Sequence, residues 1–314
     1  IIEELRAQDL PFAIEVIGFS EEEGVRFNKP FLGSLALIGK LDAETLARTD
    51  RNGVSVAEAI RIFGLTLSEL PAAVLPDEAF SYLEFHIEQG PLLESENAPL
   101  GIVETMTGLT RMHLIFEGQP NHAGTTPMHL RHDSMAATAE WIVAVEEYAT
   151  THSGLVATVG RVETFPGADN VIAGRTTASL DVRHANDQVR TLAVAALINH
   201  AKSAAAKRGV RVTALAQLEQ PAVLMNPRLT ALLQSAAAKA KFPSRTMTSG
   251  AGHDAMIIAQ RLPCAMLFLR SPRGLSHHPD EAVFPEDVKA ALATAMEFLA
   301  LLRDDKATPR NDYA

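Results

Sequence analysis

Cysteine is almost absent from this chain: Cys264 is the only one among 314 residues. One thiol cannot close an intrachain disulfide or build an all-cysteine metal site, so a disulfide-stapled secreted domain is excluded and a reducing cytoplasm is expected. Cations are the minority charge, 28 Lys plus Arg against 38 Asp plus Glu. The net charge of −10 argues against nucleic acid as a partner, because that affinity rests on clustered cations. No apolar run approaches the ~20 residues of a membrane span, so no membrane partner is expected either. No charged-then-apolar leader follows Ile1, and the start reads as processed or incomplete. What is present is ordinary globular composition, 47% hydrophobic and 21% charged. The length allows about two domains at ~150 residues each.

The first segment has α/β texture. Residues 12–19 form an apolar, β-rich run of the kind found in buried parallel strands. It stops at the acidic turn Ser20-Glu21-Glu22-Glu23-Gly24. Residues 43–64 carry a helical pattern broken near Asn52-Gly53, and residues 81–87 read as a strand ending before Gly90-Pro91. The middle segment has another rhythm. Strands are predicted over 110–117, 155–163, 175–183 and 210–217, and helices over 132–150 and 187–207. The order β-α-β-β-α-β is the ferredoxin-like pattern. The third segment returns to α/β texture, with helices over 228–241 and 286–303 and a buried strand over 263–269. The fold class is therefore α/β, with a catalytic domain in two parts, 1–107 and 220–314, around an inserted domain at 108–219.

Five strings bear chemistry. Glu22 and Glu23 close an apolar run, where α/β proteins place ligands; one carboxylate can bind a metal while its neighbour serves as a base. The same string also reads as a solvated acidic loop. His86, at the end of a second strand, is either a metal ligand or a histidine satisfied by a backbone carbonyl. His277 and His278 stand beside Asp280 and Glu281, as a metal site with carboxylate support or as a polar surface loop. Gly250-Ala251-Gly252-His253-Asp254 opens a helix and can hold an anion, or is simply a helix start. In the middle segment lie Asn121-His122-Ala123-Gly124, Asn170 and Arg183. His122 can stabilise an oxyanion and Arg183 can grip a carboxylate two-pronged. Turn chemistry and a surface ion pair account for the same residues.

Taken together, residues 19–27, 86–91, 121–128, 250–255 and 276–281 resemble the carbamoylase/hydantoinase-type amidases, relatives of the aminoacylase-like metallopeptidases. That resemblance implies a metallopeptidase-type catalytic domain with a ferredoxin-like lid and dimerisation domain, and a homodimer formed through that inserted domain. It implies hydrolysis of a linear C–N bond in a ureido acid, such as an N-carbamoyl-L-amino acid or allantoate. Glu22 matches the general base. Glu23, His86 and His277 match metal ligands. Gln89, His122, Asn170, Arg183 and His253 match groups that hold substrate or the developing oxyanion. Two divalent ions per subunit are implied, with zinc, manganese, cobalt or nickel suited to such donors.

One departure stands out. The family also draws a histidine and a bridging aspartate from upstream segments. Only 20 residues precede Glu21, with no histidine and one unmatched aspartate, Asp9. The chain is thus read as an N-terminally truncated member, with metal binding weak or absent and little activity of its own. Two other readings follow: an aminoacylase or peptidase of the same clan, and a truncated, non-catalytic dimerising protein.

Overall fold

The computed structural model describes residues 10–305; Asp9 lies outside them. Helices α1 (Leu32–Leu37), α2 (Ala43–Ala47) and α3 (Val56–Ile62) precede strand β1 (Tyr82–Ile87). Strands β2 (Leu100–Met106) and β3 (Gly108–Glu117) are followed by α4 (Ser134–Thr151), β4 (Val156–Thr158), β5 (Val162–Phe165) and β6 (Arg175–His184). Then come α5 (Asp187–Ala206), β7 (Arg211–Gln220), α6 (Pro227–Lys239), β8 (Ser244–Ser249), α7 (Asp254–Ile258), β9 (Cys264–Leu269) and α8 (Pro285–Asp304).

The chain divides into two compact units, one ending at Met106 and resuming at Leu224, the other Thr107–Val223. The second boundary falls beyond the expected 219 because β7 keeps its ladder to β3 as far as Gln220.

In the first unit the sheet runs β1-β9-β2, with β8 beside β2. Strand β9 is buried at all six positions, as a strand paired on both sides and covered on both faces must be. Helices α6 and α8 supply the cover on one face. Leu229, Leu233, Ala236, Ala290, Ala291 and Phe298 pack over Leu100, Ile102 and Leu267. Small alanines at the contact let the two helices approach each other and the sheet. Pro227 at the first turn of α6, behind the Asn226 cap, pre-sets the helical φ without losing a needed donor.

The expected strand over 12–19 does not form. Among the described residues this run pairs with no strand, and Ile14 and Val16 stay exposed. Its rings still find the sheet: Phe12 meets Phe80 at 5.5 Å and Phe19 meets Tyr82 at 6.4 Å. An apolar run needs ladder partners as well as hydrophobicity to become a strand. Strands β2 and β8 have no counterpart in the sequence reading.

In the second unit the antiparallel sheet is ordered β4-β6-β3-β7, with β5 also on β6. This is the ferredoxin-like arrangement. The strand expected over 155–163 is split into β4 and β5. Alternation along β6 buries Thr176, Ala178, Leu180 and Val182 under the helices and leaves the odd positions on the open face. Trp141 of α4 is fully buried there, and its indole N–H donates to the Leu197 carbonyl at 3.0 Å. No helix among the described residues is long and apolar enough to cross a membrane.

Candidate active site

The first unit carries Glu22, Glu23, His86, Gln89, His253 and His277; the second carries His122, Asn170 and Arg183. The acidic turn is held by its backbone. Phe31 N–H donates to the Glu21 and Glu22 carbonyls at 2.8 and 3.2 Å. Gly24 has φ +68°, and a Cβ there would lie 2.6 Å from Pro30 N, so only glycine fits. Glu22 is half-buried beside this turn. Burial, and then the charges of Glu23 and Asp254, push its carboxyl up to about 7.

Glu23 Oε1 stands 3.4 Å from His277 Nε2. His277 sits at φ +57°, and its N–H donates to Glu281 at 3.1 Å, which fixes the loop that presents the ring. His86, at the end of β1, has Nδ1 2.8 Å from the Ile87 carbonyl. The carbonyl can only accept, so Nδ1 carries the proton and Nε2 keeps its lone pair. The His86 ring packs on His253 at 4.3 Å between centroids.

His253 is 1% exposed, and its Nε2 lies 3.0 Å from Ser249 Oγ. Burial, and then the nearby His86, hold its pKa down to about 3, so the ring is neutral. The expected substrate-holding side chain therefore lies in the interior, against His86 and Phe268. Gln89 takes φ +56° at the turn after β1, and its N–H donates to Ser271 Oγ at 2.9 Å. The neighbouring Glu88 is structural: it accepts from Leu92 and Leu93 N–H at 2.8 and 3.0 Å and caps the helical turn Leu92–Ser95.

Two more carboxylates matter: Glu84, which the sequence did not single out, and Asp254, which it offered only as part of a helix start. Glu84 and Asp254 are both buried, at 8% and 3% exposure. Burial pushes Glu84 up to about 7 despite the Ala255 N–H it accepts at 2.7 Å, and the charges of Asp254 and Glu22 add to the rise. Asp254 is also raised, by burial, against the pull of the Ser34 hydroxyl and His86. Its Oδ1 has no hydrogen-bond partner. An acidic residue inside an apolar strand was the available signal for Glu84.

In the second unit, His122 and Asn170 lie on adjacent loops. Ala123 N–H donates to the Asn170 carbonyl at 2.8 Å, and His122 bridges Val171. Gly124 N–H donates to His122 Nδ1 at 3.0 Å, which leaves the proton on an exposed Nε2. That nitrogen is a ready hydrogen-bond donor for an oxyanion. Arg183 is far from them. It opposes Leu109 at one end of the β3–β6 ladder, whereas His122 and Asn170 lie beyond the Glu117–Arg175 end. Eight residues of strand at ~3.3 Å each separate the two ends by about 26 Å.

A divalent centre needs more than these residues bring together. Glu23 and His277 form one close pair of donors. Among the described residues no group of three or more His, Cys, Asp or Glu side chains is arranged to hold a metal ion. The donors suit a divalent ion in kind, but they do not complete a site for it.

Comparison with known proteins points one way. A sequence model described as "Peptidase family M20/M25/M40" matches residues 1–301. The allantoate deiminase of Arabidopsis thaliana is 36% identical over 324 residues, which cover 94% of this chain and 62% of the plant protein. The N-carbamoyl-L-amino acid amidohydrolase of Geobacillus stearothermophilus is 39% identical over 275 residues, 87% of this chain and 67% of that protein. A hydantoinase/carbamoylase family amidase from Burkholderia ambifaria superposes with a TM-score of 0.83 at 31% identity, covering 93% of this chain and 70% of that one. The chain thus spans under two thirds of the length of the plant relative and about two thirds of the other two.

Proposed function

The chain belongs to the M20/M25/M40 peptidase family, and from that membership we propose that it is an amidohydrolase acting on the linear C–N bond of a ureido acid, an N-carbamoyl-L-amino acid or allantoate. The observation that carries the reading is Glu22: a half-buried carboxyl held near pH 7, next to the Glu23–His277 pair. A base with that affinity for protons accepts one from water at neutral pH and returns it to a leaving nitrogen. His122 Nε2–H donates to the oxyanion formed as the ureido carbonyl becomes tetrahedral, with Asn170 beside it. Arg183 pairs with the substrate carboxylate, which favours acids over neutral amides. Gln89, on the turn after β1, is a further proposed substrate-holding group, and His253 packs on His86.

The strand of about 26 Å that separates Arg183 from the ladder end nearest the His122–Asn170 loops exceeds any small ureido acid. One substrate therefore cannot use all three from a single copy, and this separation supports a homodimer in which the inserted domain of one subunit serves the site of the other. Divalent-metal dependence is a property of the family, with zinc, manganese, cobalt or nickel as the fitting ions. Glu23, His86 and His277 are the proposed donors, and the incomplete set predicts weak retention of metal by this chain. A cytoplasmic setting fits the single, buried Cys264.

The test is a graft. Segments of the Geobacillus stearothermophilus relative that lie outside its match to this chain are fused to it, and the product is assayed with ureido acids, acyl amino acids and dipeptides. Metal-dependent turnover of ureido acids, lost in Glu22→Gln, is the expected result. A folded, metal-loaded graft that cleaves only dipeptides or acyl amino acids overturns the assignment.

A further inference from the structure

The open face of the β3–β6 ladder carries three charged residues that share hydrogen bonds. Arg111 on β3 is directly opposite Asp181 on β6, and Arg183 follows two residues later on the same face. Asp181 uses both oxygens. Arg111 donates to Oδ2 from Nε at 3.2 Å and from Nη2 at 2.9 Å. Arg183 donates to Oδ1 from Nε at 2.8 Å and to Oδ2 from Nη2 at 3.2 Å. Asp181 is 22% exposed, whereas Arg111 and Arg183 are 47% and 32% exposed, so the guanidiniums reach outward from a more buried anchor.

We propose that Arg111, Asp181 and Arg183 act as one carboxylate-recognition unit, in which Asp181 is a positioning residue for both guanidiniums and Arg111 supplies a second cation to the bound acid. The inference rests on the reading of Arg183 as the substrate's carboxylate partner, and it adds two residues to that role. Charge supports it: two guanidiniums around one carboxylate make the triad itself positive, the sign that attracts a carboxylate. The residues directly opposite in the ladder are uncharged: Thr158 opposite Asp181, Val156 and Leu109 opposite Arg183, and Leu218 opposite Arg111. Burial would raise the Asp181 carboxyl, but the hydrogen bonds from Arg183 and Arg111 outweigh it and hold the group below the ordinary carboxylate range. The anchor is therefore ionised at any pH where a carboxylic acid substrate is. Orientation matters because a guanidinium binds a carboxylate as a planar fork, and a pinned fork loses less rotamer entropy on binding.

Asp181→Asn separates positioning from charge. It removes an anion and leaves two cations, so charge alone makes it bind an acid more tightly, whereas lost positioning makes it bind more weakly. Calorimetric titration of the 314-residue chain with N-carbamoyl-L-alanine and with its uncharged carboxamide reads the difference. The expected result is that the wild type prefers the acid, and that Asp181→Asn and Arg111→Gln each bind it about tenfold more weakly, the scale of one charge-assisted hydrogen bond. Carboxamide binding should not change. Equal affinity of the wild type for acid and carboxamide, or unchanged or tighter acid binding by Asp181→Asn, overturns the proposal. Should Asp181→Asn fail to fold, Arg111→Lys keeps the charge without the fork: weaker acid binding supports the unit, and unchanged binding overturns it. N-acetyl-L-alanine bound as well as the carbamoyl acid, with the same response to the variants, leaves the unit standing and removes the ureido assignment instead.

Discussion

Glu22 and Glu84 illustrate what burial does to a carboxyl group. Both are held to about 7, against 4.5 for the free side chain. For Glu22 the consequence is kinetic. A general base works ionised, so kcat/KM of the grafted enzyme should fall in acid as Glu22 takes up its proton. Glu22→Gln should lower turnover by roughly 10²–10⁴-fold without moving the unfolding midpoint far. For Glu84 the consequence is stability. An unfolded chain releases this proton near pH 4.5, whereas the folded chain keeps it to about 7. Between those values the native state binds more protons, so its stability falls as pH rises through the window and is flat above it. Glu84→Gln retains an acceptor for Ala255 N–H and removes the titration. Its thermal midpoint should drop less than the wild type's between pH 5 and pH 8, and an identical drop would sink this account of Glu84. The strings around Glu22, Glu23 and His277 made those residues visible in the sequence, because adjacent carboxylates and paired histidines are chemical signatures in themselves. Glu84 stood out only as an acid inside an apolar strand and Asp254 only as part of a helix start, and neither pattern tells how deeply a carboxylate will be buried.

At the scale of elements, helical patterning predicted the long helices well, while the short α1 had no counterpart in it. Asp133 caps α4 by accepting from Met135 and Ala136 N–H at 2.9 and 3.1 Å. Asp133→Ala should cost about 1 kcal/mol, read as a lower urea midpoint at unchanged slope. The helical pattern over 43–64 breaks where Asn52-Gly53 forms a turn, and Gly53 takes φ +79°. The strands were harder. β8, Ser244–Ser249, is polar and short, and it is a strand only because β2 offers it a parallel ladder. Residues 12–19 have the stronger strand composition and form none, for want of a ladder partner among the described residues. A strand is a property of pairs, and a single run of residues cannot declare its partner.

At the scale of the molecule, the second unit has its own core. Leu114, Phe116, Trp141, Leu180 and Leu197 are buried within it. The fragment 107–223 should therefore fold alone. Trp141 is the sole tryptophan, so a cooperative fluorescence transition in urea reports that fold directly; a broad, uncooperative one counts against an autonomous unit. The shared-site reading has its own check. Grafted chains bearing Glu22→Gln and His122→Ala, each inactive alone, should regain turnover when their subunits are exchanged, because a mixed dimer holds one complete site. No recovery after verified exchange removes the homodimeric site.

The sequence by itself determined the α/β class, the ferredoxin-like order of the inserted unit and the chemical identity of the groups at the turns, since these depend on local periodicity and on side-chain type. Tertiary structure alone decided which carboxylates lose their solvent, that His253 turns inward, that Arg183 shares an anchor with Arg111, and that the His122–Asn170 loops stand a sheet's length from Arg183. Burial and distance arise when segments remote in the chain pack together, and no local pattern of residues encodes them.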